Sequence, residues 1–133
     1  MSTWIWLDIE AVCAAHDAQI MEHGGLHGIR DRGLLEAGLA RPQHLAAYEE
    51  PDVTRLAAAY AVGIARNHPF LDANKRTAMT AMIMFLWLNG YKCLYEEIAF
   101  FPVMLQLATG EMSETDLAAW LAAGCAPTDG ESH

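Results

Sequence analysis

Two strongly apolar segments, at about positions 52–66 and 74–88, follow each other with only a short, polar junction between them. The first carries Ala57, Ala58, Ala59, Ala61 and Gly63. Residues this small on most faces let neighbouring helices approach closely, so the segment is expected at the centre of the fold. The second is apolar nearly throughout from Ala78 to Leu88, interrupted by Thr80. Helices that are hydrophobic on most sides must be wrapped by others, and period-3.6 patterning recurs through the rest of the chain. The apolar excess (53% of 133 residues) comes mainly from alanine, leucine and methionine, all good helix formers. The fold class is therefore expected to be all-α, one domain over 1–126 with a polar, frayed tail at 127–133.

The punctuation sets out the other elements. Asp8 reads as the N-cap of a helix through position 21, ended by Gly24-Gly25. A loop at 24–32 leads to a short helix near 34–40, which Pro42 is expected to stop. Pro51-Asp52 opens the first apolar helix, and Gly90 after Asn89 suits a left-handed position beyond the second. Residues 91–95 read as a short extended segment, and two helices follow, near 96–109 and 114–123, the last capped by Ser113.

Charge and cysteine usage exclude several function classes. Seventeen acidic against eight basic residues give a formal net charge of −9, the opposite of a nucleic-acid footprint. Cys13, Cys93 and Cys125 are odd in number and form no Cys-x-x-Cys pair, which predicts reduced thiols in a cytoplasmic protein. No basic-then-apolar leader opens the sequence, and its longest apolar run is too short to span a bilayer. Against that acidic background Arg66, Lys75 and Arg76 cluster, which suggests a small anion site; a solvated helix end is the plainer alternative.

The junction His68-Pro69-Phe70-Leu71-Asp72-Ala73-Asn74-Lys75-Arg76 carries more chemistry than a connector needs. A helix starting at Asp72 or Asn74 points its free N–H groups into the loop, a ready phosphate site. Lys75 and Arg76 place cations where the helix dipole disfavours them, which makes sense if a polyanion sits between. His68 belongs to the residue type that exchanges a proton near neutral pH. Asp72, a hard oxygen ligand, suits Mg²⁺ against phosphate oxygens, while Pro69 stiffens the loop and Phe70 anchors it in the core. Singly, each has a bland reading: a structural histidine, a capping aspartate, solvated cations. Jointly they point to phosphate transfer to a hydroxyl. The P-loop and the kinase glycine-rich loop are absent.

This segment resembles the signature of the Fic/Doc (Fido) family, with seven positions met: His68, Phe70, Asp72, Ala73, Asn74, Lys75 and Arg76. The likeness extends to Gly24-Gly25-Leu26, Gly28-Ile29-Arg30-Asp31, Ala47-Tyr48-Glu49-Glu50, Asn89-Gly90 and Thr109-Gly110-Glu111. It implies a compact Fic/Doc helical bundle around two central helices joined by the motif loop. It also implies His68 as general base, Asp72 as the Mg²⁺ position, and Ala73, Asn74, Lys75 and Arg76 as the nucleotide-binding positions. Fic proteins typically end the motif Gly-Asn-Gly-Arg and transfer AMP from ATP to a protein hydroxyl. Ala73-Asn74-Lys75-Arg76 is instead similar to the Doc branch, toxins in which the ATP γ-phosphate goes to a threonine of elongation factor Tu. A self-inhibitory Ser/Thr-x-x-x-Glu helix, frequent among Fic enzymes, is not found: no Glu here has Ser or Thr four residues earlier. The resemblance thus implies inhibition in trans by a Phd-like antitoxin. An AMP transferase and a catalytically silent binding module are the alternatives.

Other features carry less. Glu22, His23 and His27 have a metal-like spacing, but Gly24-Gly25 breaks the helix that would align them. Arg30-Asp31-Arg32 reads as a solvated charge cluster, with substrate contact as the alternative. Trp4 and Trp6 are expected to pack an N-terminal segment, and Met79, Met82 and Met84 to fill the core.

Overall fold

The computed structural model describes residues 3–128 of the chain. Among them are α1 (Ile9–His23), α2 (Arg32–Tyr48), α3 (Val53–Asn67), α4 (Asn74–Leu88), β1 (Tyr91–Cys93), a 3₁₀ turn (Glu97–Ala99), α5 (Phe100–Thr109), α6 (Glu114–Gly124) and β2 (Cys125–Pro127). The architecture is all-α, with one short strand pair as its only sheet among the described residues. Of the tail expected at 127–133, Pro127 belongs to β2, and 129–133 lie outside the described residues.

Helix α3 is the axis. Asp52 caps it by accepting from the Arg55 N–H at 3.0 Å, and every residue from Leu56 to Ala65 is buried. It packs against α2, α4, α5 and α6. The small residues are what allow this: at Gly63 a β-carbon would stand 2.5 Å from the Gly38 carbonyl oxygen of α2. On the other side α4 contributes Ala78, Met79, Ala81, Met82, Phe85 and Leu86 to the same core. Trp4 and Trp6 pack on Phe85, with ring centroids at 6.2 and 5.9 Å. The Leu7 N–H donates to the buried Tyr60 hydroxyl at 2.9 Å, and burial pushes that phenol up to about 12.

Two expectations need correction here. Pro42 does not stop the second helix, which runs to Tyr48 with Pro42 buried inside it. An interior proline costs about 3 kcal/mol; Leu35, Leu39 and Pro42 share one buried face, and packing along that face outweighs the lost hydrogen bond. Arg66 does not join Lys75 and Arg76. Its guanidinium turns away and donates to the Leu107 and Met112 carbonyls, at 3.1 and 2.7 Å, closing the C-terminal end of α5.

The extended segment expected at 91–95 forms in part, as β1, and finds an antiparallel partner in β2. Ser113 caps α6 by accepting from the Asp116 N–H at 3.0 Å. No helix among the described residues is long and apolar enough to cross a membrane.

Candidate active site

The loop between α3 and α4 is held from three sides. Its first residue, His68, sits in the left-handed region (φ 49°) as the C-cap of α3, and its ring is exposed. Below it, the loop at 25–31 runs antiparallel to the motif. Arg30 and Asp31 both donate backbone N–H groups to the Pro69 carbonyl, at 2.7 and 3.0 Å, and Leu71 donates to Gly28 at 3.0 Å. The Arg30 guanidinium adds bonds to the His68 carbonyl at 2.6 Å and the Asn67 carbonyl at 2.8 Å. Arg30 is therefore no free surface charge. It ties down the end of α3 from which His68 projects, and Asp31 beside it caps α2.

From beneath, Phe70 is buried and its ring stacks on His16 of α1, centroids 3.9 Å apart and 8° from parallel. His16 is only 2% exposed. Its Nε2 lies 2.9 Å from the Asp72 carbonyl oxygen; a carbonyl only accepts, so this nitrogen carries the proton. Sequence reasoning passed over His16, although its spacing with Val12 and Ile20 places it in the buried stripe of α1. From within the loop, Asn74 accepts from the Phe70 N–H and donates to the Phe70 carbonyl, each at 3.0 Å.

These restraints put Ala73 at φ 62°, a region that disfavours any residue with a β-carbon. Ala73→Gly is expected to leave stability unchanged or raise it by up to about 1 kcal/mol, since relief of backbone strain competes with the greater freedom of glycine in the unfolded chain. Urea unfolding midpoints check this.

The start of α4, like that of α5 behind its 3₁₀ turn, lacks a side-chain cap. Asp8, Asp31, Asp52 and Ser113 cap α1, α2, α3 and α6, but no side chain caps α4. The first of its amides to find a helical carbonyl is that of Thr77, 3.0 Å from Ala73, so the N–H groups of Asn74, Lys75 and Arg76 have no partner within the helix. Arg76 Nε is buried and unpartnered. Amides, ammonium and guanidinium at one helix start fit an anion.

Asp72 is exposed at the rim of this start. Its carboxylate accepts from Ala73 N–H at 2.9 Å and Leu26 N–H at 3.2 Å. These two hydrogen bonds, and after them the charges of Arg76 and His16, hold the carboxyl below its ordinary 3.8. Gly25 makes room for the arrangement: with φ 125°, a β-carbon there would stand 2.7 Å from Asp72 Oδ2. A depressed carboxyl gives stabilisation that is full above the unfolded-state value and lost as pH falls through the folded one. The Leu26 and Ala73 amide proton shifts should therefore titrate together below pH 3.8. A transition at or above that value would contradict the bonding.

Each Asp72 oxygen keeps a lone pair for a cation. Among the described residues no three His, Cys, Asp or Glu side chains gather to hold a metal. One protein carboxylate supplemented by substrate phosphates and water is the usual provision for Mg²⁺, so the donor set fits. Of the residues at 22–27, His23 lies 3.5 Å from Glu22 and His27 3.6 Å from Asp17 of α1.

Beyond Lys75 and Arg76 opens a cavity of about 370 Å³, walled by Met79 of α4, Phe101, Met104 and Leu105 of α5, and His23 of α1. Glu97 of the 3₁₀ turn completes the wall, and no motif announced the cavity because its residues come from segments far apart in sequence.

A family model described as the Fic/DOC family matches residues 6–86, more than half of the chain. "Protein kinase doc" of Escherichia phage P1 is 41% identical over 110 residues, covering 82% of this chain and 86% of that protein. "Toxin Doc" of Mycolicibacterium smegmatis (strain ATCC 700084 / mc(2)155) is 43% identical over 88 residues, 64% of this chain and 65% of that one. The match spans both helices that frame the motif loop and the 25–31 segment that braces it, and on these findings the chain belongs to the Fic/Doc family.

Proposed function

We propose that the chain is the toxin of a toxin–antitoxin pair and transfers the γ-phosphate of ATP to a threonine or serine hydroxyl of a protein, with elongation factor Tu as substrate, halting translation in the cytoplasm. The observation that carries this reading is the uncapped start of α4, where the amides of Asn74, Lys75 and Arg76 and the unpartnered Arg76 Nε follow directly on Asp72. The relative named as a protein kinase supports the choice of phosphate over AMP.

In this reading the amides of Asn74, Lys75 and Arg76 and the two cationic side chains bind the phosphate oxygens. Ala73 and the Asn74 side chain set the turn that aims those amides. Asp72 would hold Mg²⁺, whose charge would offset that of the phosphates. His68 takes the proton of the acceptor hydroxyl as its oxygen bonds to the γ-phosphorus and the bond to the ADP oxygen breaks.

An antitoxin of the Phd kind restrains the site in trans. The apolar cavity beside Lys75 and Arg76, with Phe101 and Leu105 of α5 and Ile98 of the 3₁₀ turn exposed nearby in sequence, suits the apolar face of an amphipathic segment.

Labelled ATP tests the reaction. Incubation with elongation factor Tu is expected to move label from the γ position and none from the α position, with the modified peptide heavier by one phosphate. Transfer of α label would assign AMP transfer instead, and absence of both labels would leave a binding module.

A further inference from the structure

The strand pair β1–β2 places two thiols face to face. Its register sets Cys93 opposite Cys125. The Leu94 N–H donates to the Gly124 carbonyl at 2.6 Å, just outside that pair, which makes Cys93 and Cys125 a non-hydrogen-bonded pair. Opposed residues of this kind have α-carbons about 4.5 Å apart and side chains on one face. A disulfide needs α-carbons roughly 4.4–6.8 Å apart, a window whose short end takes in the spacing typical of such a pair.

Both cysteines are free and half-buried, within reach of a small oxidant. Burial holds both thiols above their ordinary range, and at Cys125 the neighbouring Cys93 adds to the effect. Nothing in the site chemistry uses either residue. Cys13, the remaining cysteine, lies on α1.

We propose that Cys93 and Cys125 are an oxidisable pair, reduced at rest, that closes a covalent staple across β1–β2 when exposed to a disulfide oxidant such as oxidised glutathione. One cysteine, as thiolate, attacks a glutathione sulfur and releases one reduced glutathione, leaving a mixed disulfide. The second attacks the protein sulfur of that bond and releases another. The Cys93–Cys125 bond forms, the two thiol protons pass to the departing glutathiones, and the protein's two electrons reduce the oxidant.

The staple has a structural consequence. The closed loop contains the 3₁₀ turn, α5 and α6, including the α5 wall of the cavity beside Lys75 and Arg76. A strand pair of three residues on each side is weak on its own, so bridging it removes much of the freedom of this segment in the unfolded chain. The motif loop lies outside the bridged segment.

Full-length protein would be treated with oxidised glutathione without denaturant, its remaining thiols alkylated, and its peptides mapped with and without reduction. The expected product is one peptide pair joined through Cys93 and Cys125, lighter by two hydrogens and separated by dithiothreitol, with Cys13 outside the bridge. Oxidised protein should melt at a higher temperature than reduced protein. In Cys125→Ser the reaction should stop at a glutathione adduct on Cys93, and the gain in melting temperature should vanish. Separate adducts on both cysteines of the natural protein, alkylation of both, or pairing through Cys13 would overturn the proposal. Bridging without a rise in melting temperature would overturn the staple.

Discussion

His68→Ala is expected to lower the rate of phosphate transfer by about 10²–10⁴-fold, the usual contribution of a positioned general base, while the protein melts at an unchanged temperature. The separation of the two effects follows from the local geometry. The His68 ring is exposed and makes no hydrogen bond to the rest of the described protein. What holds residue 68 in place is backbone: its N–H reaches the Ile64 carbonyl at 3.2 Å, and its carbonyl receives the Arg30 guanidinium at 2.6 Å. Alanine keeps both bonds and loses only the imidazole. Rates under saturating ATP with elongation factor Tu, alongside a thermal melt, decide the matter. A folded variant with an unchanged rate would remove His68 from the reaction.

Gly63→Ala should act in the opposite way, on the fold as a whole. A β-carbon at position 63 would stand 2.5, 2.8 and 2.9 Å from the oxygen, α-carbon and carbonyl carbon of Gly38. All three are backbone atoms of α2, so no side chain can swing aside. The helices must separate, and α3 carries the loop from its C-terminal end. Overpacking a core generally costs about 1–3 kcal/mol; contact with backbone on both sides puts this case at the upper end, about 3 kcal/mol. That is a large share of the roughly 5–15 kcal/mol that keeps a domain folded. Gly38→Ala meets the same wall from the other side and should cost a similar amount. Denaturant midpoints measure both, and a variant as stable as the natural protein would mean that the helices do not meet there.

Much of this fold was legible locally. Asp8 and Ser113 read as caps and accept the expected N–H bonds, because a cap depends on residues three apart. The small residues of the first apolar segment announced a central helix, and α3 is that helix. The failures share a cause. Pro42 reads as a stop by local propensity, yet its face of α2 is buried, and burial exceeded propensity. The pairing of β1 with β2 joins positions more than thirty residues apart, and neither strand's three residues could specify it.

The same division runs through the site. The sequence by itself determined which groups are present between the two apolar helices: His68, Asp72, the amides of Asn74, Lys75 and Arg76, and two cations in one helical turn. That much follows from chain neighbours, since helix geometry alone decides which amides are left free. Only the tertiary structure decided what holds them. His16 beneath Phe70, Arg30 across the end of α3, and Leu26 with Gly25 against Asp72 come from segments 37 to 56 residues away in sequence. It also decided that Arg66, near the motif in sequence, serves α5 instead. The reason is the same in each case. Which distant backbone and side-chain groups come within hydrogen-bond reach depends on how the helices pack, and that packing is set by the whole core.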